Sequence, residues 1–129
     1  MPSLPNILFI MSDQQRPDSL GCYGNCFIDS PNLDTLAAGG AVFDNAFTVF
    51  PLCTPARATI WTGLYPHVND ITDCCFEIDD CFAWGDYPMT VFSRLKAAGY
   101  QIGYFGKWHL GGARPDGVDT WKAFNSGGG

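Results

Sequence analysis

The sequence predicts an α/β domain built on a mainly parallel sheet flanked by helices, and three observations carry that expectation. A short apolar run, "NILFIM" at residues 6–11, stops at polar "SDQQ". The stretch "TVFSRLKAAG", residues 90–99, places Val91, Phe92, Leu95 and Ala98 on one helical face. Between and after these segments, candidate strands and helices alternate, as they do when helices cross over between parallel strands.

The elements follow in order. Residues 6–11 read as a strand buried on both faces, because the run is apolar without alternation. "DSPNLDTLAAGG" reads as a helix with Ser30 as N-cap, Pro31 in the first turn and Gly39 or Gly40 as the stop. "AVFDNAFTVF", residues 41–50, reads as a second strand or extended segment. A helix is expected from about Thr54 and Pro55 to Thr62, ended by Gly63. Residues 64–88 read as an acidic, cysteine-bearing loop. The helix over 90–99 has Gly99 where a C-cap glycine belongs. "YQIGYFG" then forms the last expected strand, just before "KWHLGG".

Composition bounds the function. The chain has 129 residues, is 47% hydrophobic and 16% charged, and carries a formal charge of -6 with seven Lys and Arg. Such a chain can build a core. The acidic balance argues against nucleic acid and against an anionic membrane surface, both of which need a basic footprint. The run "ILFIM" is too short to span a bilayer and lacks a basic flank, so the expected compartment is the cytoplasm, with periplasm or secretion as alternatives. The six cysteines, at 22, 26, 53, 74, 75 and 81, do not repeat with zinc-site spacing.

Three places can carry chemistry. In "LCTPARATIWTG" Cys53 stands where a helix begins, so its side chain faces the positive end of the helix dipole. Arg57, four residues on, returns to the same face and adds a fixed cation; a buried cysteine with Arg57 on the surface is the plain alternative. Asp13 and Gln14 follow the first strand and offer hard oxygen donors, which suit calcium or magnesium, although Asp is also common in a strand-end turn. Lys107 and His109 are two apart in "FGKWHLGG" and would share one side of an extended backbone, with Trp108 opposite. They pair a fixed charge with a group that moves protons near neutrality. His67, in "LYPHVND", reads as a loop histidine.

Together these segments resemble the sulfatase family of the alkaline-phosphatase superfamily. "CTPARATIWTG" is similar to its modification signature, and "PNILFIMSDQQRPDSLGCYGN" to its amino-terminal metal strand. "SPNLDTLAAGGAVFDNAF" and "LKAAGYQIGYFGKWHLGG" resemble the blocks that follow, in the family's order.

The resemblance implies that Cys53 is the precursor of formylglycine, made by a maturation enzyme that reads the unfolded chain. One hydroxyl of the hydrated aldehyde would attack a small-molecule sulfate ester, and the other would help expel sulfate. Asp13, Gln14 and residue 53 would bind a divalent cation, calcium first, with magnesium or manganese as alternatives. Arg57 would hold the modified residue, Lys107 would bridge it to a sulfate oxygen, and His109 would bond the second hydroxyl and act as base.

Two departures qualify the expectation. Many family members have two aspartates where this chain has Asp13 and Gln14, and the Asp-Gln form also occurs in phosphonate monoester and phosphodiester hydrolases. Family members also run several times longer. Residues 1–129 therefore read as the amino-terminal portion of one catalytic domain, an incomplete alkaline-phosphatase-like fold with little activity alone. The competing readings are a truncated, non-catalytic chain that binds a cation or partner, and a cysteine-rich binding module.

Overall fold

The computed structural model describes residues 4–74 and 89–125. The chain divides into two compact units, Met1–Ala46 and Phe47–Gly129.

In the first unit, two short 3-10 turns, Pro17–Ser19 and Gly21–Tyr23, precede helix α1, Pro31–Ala38. Pro31 starts the helix and Gly39 follows it, as the sequence predicts. Ser30 stands at the N-cap, but its hydroxyl does not cap the helix. It accepts from the Gly21 N–H at 2.8 Å and donates to the Asp34 carboxylate at 3.1 Å, and Asp34 also accepts from the Cys22 N–H at 2.7 Å. The two residues spend their polar atoms on fastening the 3-10 turn to α1. A side chain at Gly21 would collide with the Asp34 carboxylate, so this approach calls for glycine.

The strand expected at 6–11 does not form, and 41–50, read as a strand or extended segment, forms no strand either. Ile7, Leu8, Phe9 and Ile10 are exposed, as are Val42, Phe43, Phe47 and Val49. A strand buried on both faces needs neighbours in its sheet and layers over it. Among the described residues the sheet has two strands, neither of them in this unit.

The second unit holds helix α2 (Cys53–Thr62), the short helix α3 (Pro66–Asn69), helix α4 (Val91–Ala97) and strands β1 (Gly103–Lys107) and β2 (Thr120–Phe124). The strands pair in parallel, Gly103 opposite Thr120 through Lys107 opposite Phe124. Strand β2 and helix α3 escape the sequence reading: β2 is a short segment of mixed polarity, and α3 is a single turn inside a stretch read as loop. The rest of that loop, 75–88, lies outside the described residues. Helix α4 starts with a reciprocal cap between Thr90 and Ser93. Gly63 and Gly99, at φ +72° and +92°, take the left-handed conformation that follows a helix.

One aromatic core joins these elements. Trp61 of α2, Phe92 of α4, Tyr104 of β1 and Trp121 of β2 surround Trp108. Ring centroids lie 5.0 Å apart for Trp61 and Phe92, 5.1 Å for Tyr104 and Trp108, and 4.9 Å for Trp108 and Trp121. Ala58, Leu110 and Val118 complete it. Rings packed in tilted and edge-on contacts gain energy beyond the area they bury. Thr54, Arg57, Ala58 and Trp61 form the buried face of α2. The core therefore presses this face against the end of β1. No described helix is long and apolar enough to cross a membrane.

Candidate active site

Helix α2 begins at Cys53 itself, one residue earlier than expected, after an extended Leu52 that offers no side-chain cap. The Cys53 thiol thus sits in the first turn, where backbone N–H groups lack helical partners and favour negative charge. It is half-buried, and burial pushes its thiol up from the ordinary value. The Cys74 sulfur, 3.4 Å away, acts in the same direction. The Lys107 ammonium and the Thr54 N–H act against it. Residue 53 therefore lies within the field of Lys107.

Arg57 is buried, which removes the surface alternative. Its Nη1 donates to the Lys107 carbonyl at 2.6 Å. The Tyr104 hydroxyl donates to the same oxygen at 2.6 Å. Burial pushes the Tyr104 phenol up, and the Arg57 charge opposes that shift.

Two residues further along, the His109 carbonyl accepts from Thr54 Oγ1 at 3.0 Å. Two successive turns of α2 are thereby tied to residues 107–109. Strand β1 ends at Lys107, and His109 takes φ +58°. The alternation expected for Lys107 and His109 in extended backbone does not hold there, because the chain turns at His109 and buries it beside Trp108 and Leu110. The ladder itself runs one bond further, with the Trp108 N–H donating to Phe124 at 2.7 Å.

Four of the six candidate residues, Cys53, Arg57, Lys107 and His109, thus gather in the second unit, around the amino end of α2 and the carboxyl end of β1. Ligands collect at that end of a parallel sheet. Asp13 and Gln14 belong to the first unit and are exposed, with Gln14 at φ +57°, an uncommon conformation outside glycine. Among the described residues, no group of three or more His, Cys, Asp or Glu side chains could hold a metal ion. His67 is exposed on α3 and stacks on Tyr65, centroids 5.7 Å apart.

Three residues at this site escape the sequence reading. Thr54 and Tyr104 act through hydroxyls, and no spacing rule marks them. Cys74 reaches Cys53 from 21 positions away. Its cysteine identity was the one available signal.

Comparison with known proteins agrees with the geometry. The family model described as Sulfatase matches residues 5–128. An N-acetylglucosamine-6-O-sulfatase of Bacteroides thetaiotaomicron is 40% identical over 118 residues, covering 92% of this chain and 20% of that protein. Human steryl-sulfatase is 38% identical over 116 residues, covering 84% of this chain and 20% of its own length. A solved structure in complex with its substrate D-glucosamine-2-N,6-O-disulfate superposes with a TM-score of 0.74 at 39% identity, covering 89% of this chain and 22% of that one. The chain spans about a fifth of the length of the curated relatives it matches. With most of its length under one family model, and with relatives alike in sequence and fold, the chain belongs to the sulfatase family.

Proposed function

We propose that the complete protein hydrolyses small-molecule sulfate esters, with residue 53 converted from cysteine to formylglycine and serving as nucleophile. Residues 1–129 form the amino-terminal portion of its catalytic domain. The observation that carries this reading is the docking of α2 on the end of β1, which sets residue 53 in a helix first turn within the field of Lys107.

The residues divide the work. The helix amino terminus and the Lys107 ammonium offset the negative charge of a sulfate beside residue 53. Arg57 and Tyr104 hold the Lys107 carbonyl and so keep the strand end in place. Thr54 does the same for His109, whose imidazole moves a proton as sulfate leaves. Asp13 and Gln14, both exposed and both oxygen donors, would suit a hard divalent cation, calcium first. Such a cation, when bound, would supply Lewis-acid polarisation of the sulfate. Two side chains would supply only part of the six to eight oxygens that calcium takes, leaving the rest to water, substrate or other protein groups. The family relatives support sulfate over phosphonate, and the disulfated glucosamine bound by the solved relative makes sulfated sugars the first substrates to assay.

A mass spectrum of the peptide containing residue 53, from protein made in its native host, tests this reading. An aldehyde in place of the thiol is expected. An intact thiol, in a host that matures other sulfatases, overturns it. Relative turnover of an aryl sulfate and a phosphonate ester by the complete protein then separates the two hydrolase classes.

A further inference from the structure

The sulfurs of Cys53 and Cys74 lie 3.4 Å apart, and both residues are half-buried in the second unit. Packed structure sets this approach from both sides. Cys53 is fixed by the docking of α2. On the other side, Asn69 closes the turn that leads towards Cys74: its Nδ2 donates to the Leu64 carbonyl at 3.3 Å and its Oδ1 accepts from the Ile71 N–H at 3.0 Å. Ile71 packs against the aromatic core. The Cys74 N–H donates to Asp73 Oδ1 at 2.7 Å.

A disulfide brings its sulfurs to about 2.0 Å, so the two need a further approach of about 1.4 Å. Nothing in the proposed sulfatase chemistry uses Cys74.

We propose that Cys53 and Cys74 form a reversible disulfide, by exchange with a small-molecule disulfide such as oxidised glutathione, in chains that fold with Cys53 unconverted. That such chains are the ones that folded before conversion to formylglycine rests on the function proposed above.

The exchange balances in two steps. The Cys74 thiolate attacks one sulfur of oxidised glutathione, forming a mixed disulfide and releasing one glutathione thiolate. The Cys53 thiolate then attacks the Cys74 sulfur of that mixed disulfide and expels the second glutathione. Two protein thiols are oxidised, one glutathione disulfide is reduced to two thiols, and the two protons pass to the leaving thiolates. The second step is intramolecular between held groups, which favours it over attack by a second glutathione molecule.

The test uses the reduced 129-residue chain with Cys53 intact. It is incubated with oxidised glutathione, trapped with iodoacetamide under denaturing conditions, digested and mapped by mass spectrometry. The expected product is the residue-53 peptide linked to the peptide containing Cys74, lighter by two hydrogens than the sum of its parts and released by dithiothreitol. Because Cys74 and Cys75 share a peptide, the link should persist in Cys75→Ser and vanish in Cys74→Ser. Cys53 recovered as alkylated, as a glutathione adduct only, or linked in Cys74→Ser overturns the proposal. The mapping reads thiol-bearing protein and no aldehyde, so its failure is separate from failure of the formylglycine reading.

Discussion

Arg57 and Tyr104 converge on one acceptor, the main-chain carbonyl of Lys107, each at 2.6 Å. A carbonyl has two lone pairs, and here a guanidinium from α2 and a phenol from β1 fill them. The strand end that presents Lys107 is thereby fastened to the helix that presents Cys53.

Arg57→Met should destabilise the chain by about 1.5–3 kcal/mol, the range for a hydrogen bond from a charged group, and Tyr104→Phe by about 0.5–1.5 kcal/mol. Because they share an acceptor, the double variant should depart from the sum. Urea unfolding midpoints measure all three. Strict additivity would show that the two bonds act independently.

Thr54→Val keeps the shape of a buried side chain and removes its hydroxyl. The His109 carbonyl then loses the donor at 3.0 Å, at an expected cost of about 1–3 kcal/mol. Thermal unfolding should show a lower midpoint. An unchanged midpoint would mean that this bond does not secure the segment.

Asp119 ties α4 to β1. It accepts from Lys96 Nζ and from the Ile102 N–H, the latter at 2.8 Å, and these bonds, the Lys96 one first, hold its carboxyl below the ordinary 3.8. A carboxylate with a depressed folded pKa stabilises the fold above its unfolded value and loses that contribution as pH falls through the folded one. The stability difference between wild type and Asp119→Asn should be full well above pH 3.8 and shrink on acidification below it. Added salt should narrow it too, because the ion pair is exposed. Unfolding titrations across pH measure this, and a difference that stays constant on acidification would count against it.

Gly63 ends α2 at φ +72°, and a Cβ there would meet no atom within 4 Å. The cost of Gly63→Ala is thus purely conformational, about 1–2 kcal/mol for a left-handed non-glycine residue. Circular dichroism should show an otherwise unchanged fold with a lowered melting point. A neutral substitution would show that the left-handed turn is dispensable.

Much of this molecule was legible in local chemistry. Pro31 and Gly39 marked the ends of α1, Gly63 and Gly99 the ends of α2 and α4, because caps and left-handed glycines act over a turn or two. Residues 100–106 read as a strand from their own pattern, and β1 forms over Gly103–Lys107. Types and spacing singled out Cys53, Arg57, Lys107 and His109, and the family resemblance assigned their roles. Tertiary structure decided the rest. A strand exists only when another segment offers a ladder, so apolar residues 7–10 stand exposed while the mixed segment Thr120–Phe124, with β1 beside it, forms β2. Burial of Arg57, the turn at His109 and the approach of Cys74 to Cys53 all come from packing around Trp61 and Trp108. Such contacts join residues 20 to 60 positions apart, and no periodicity in the chain records them.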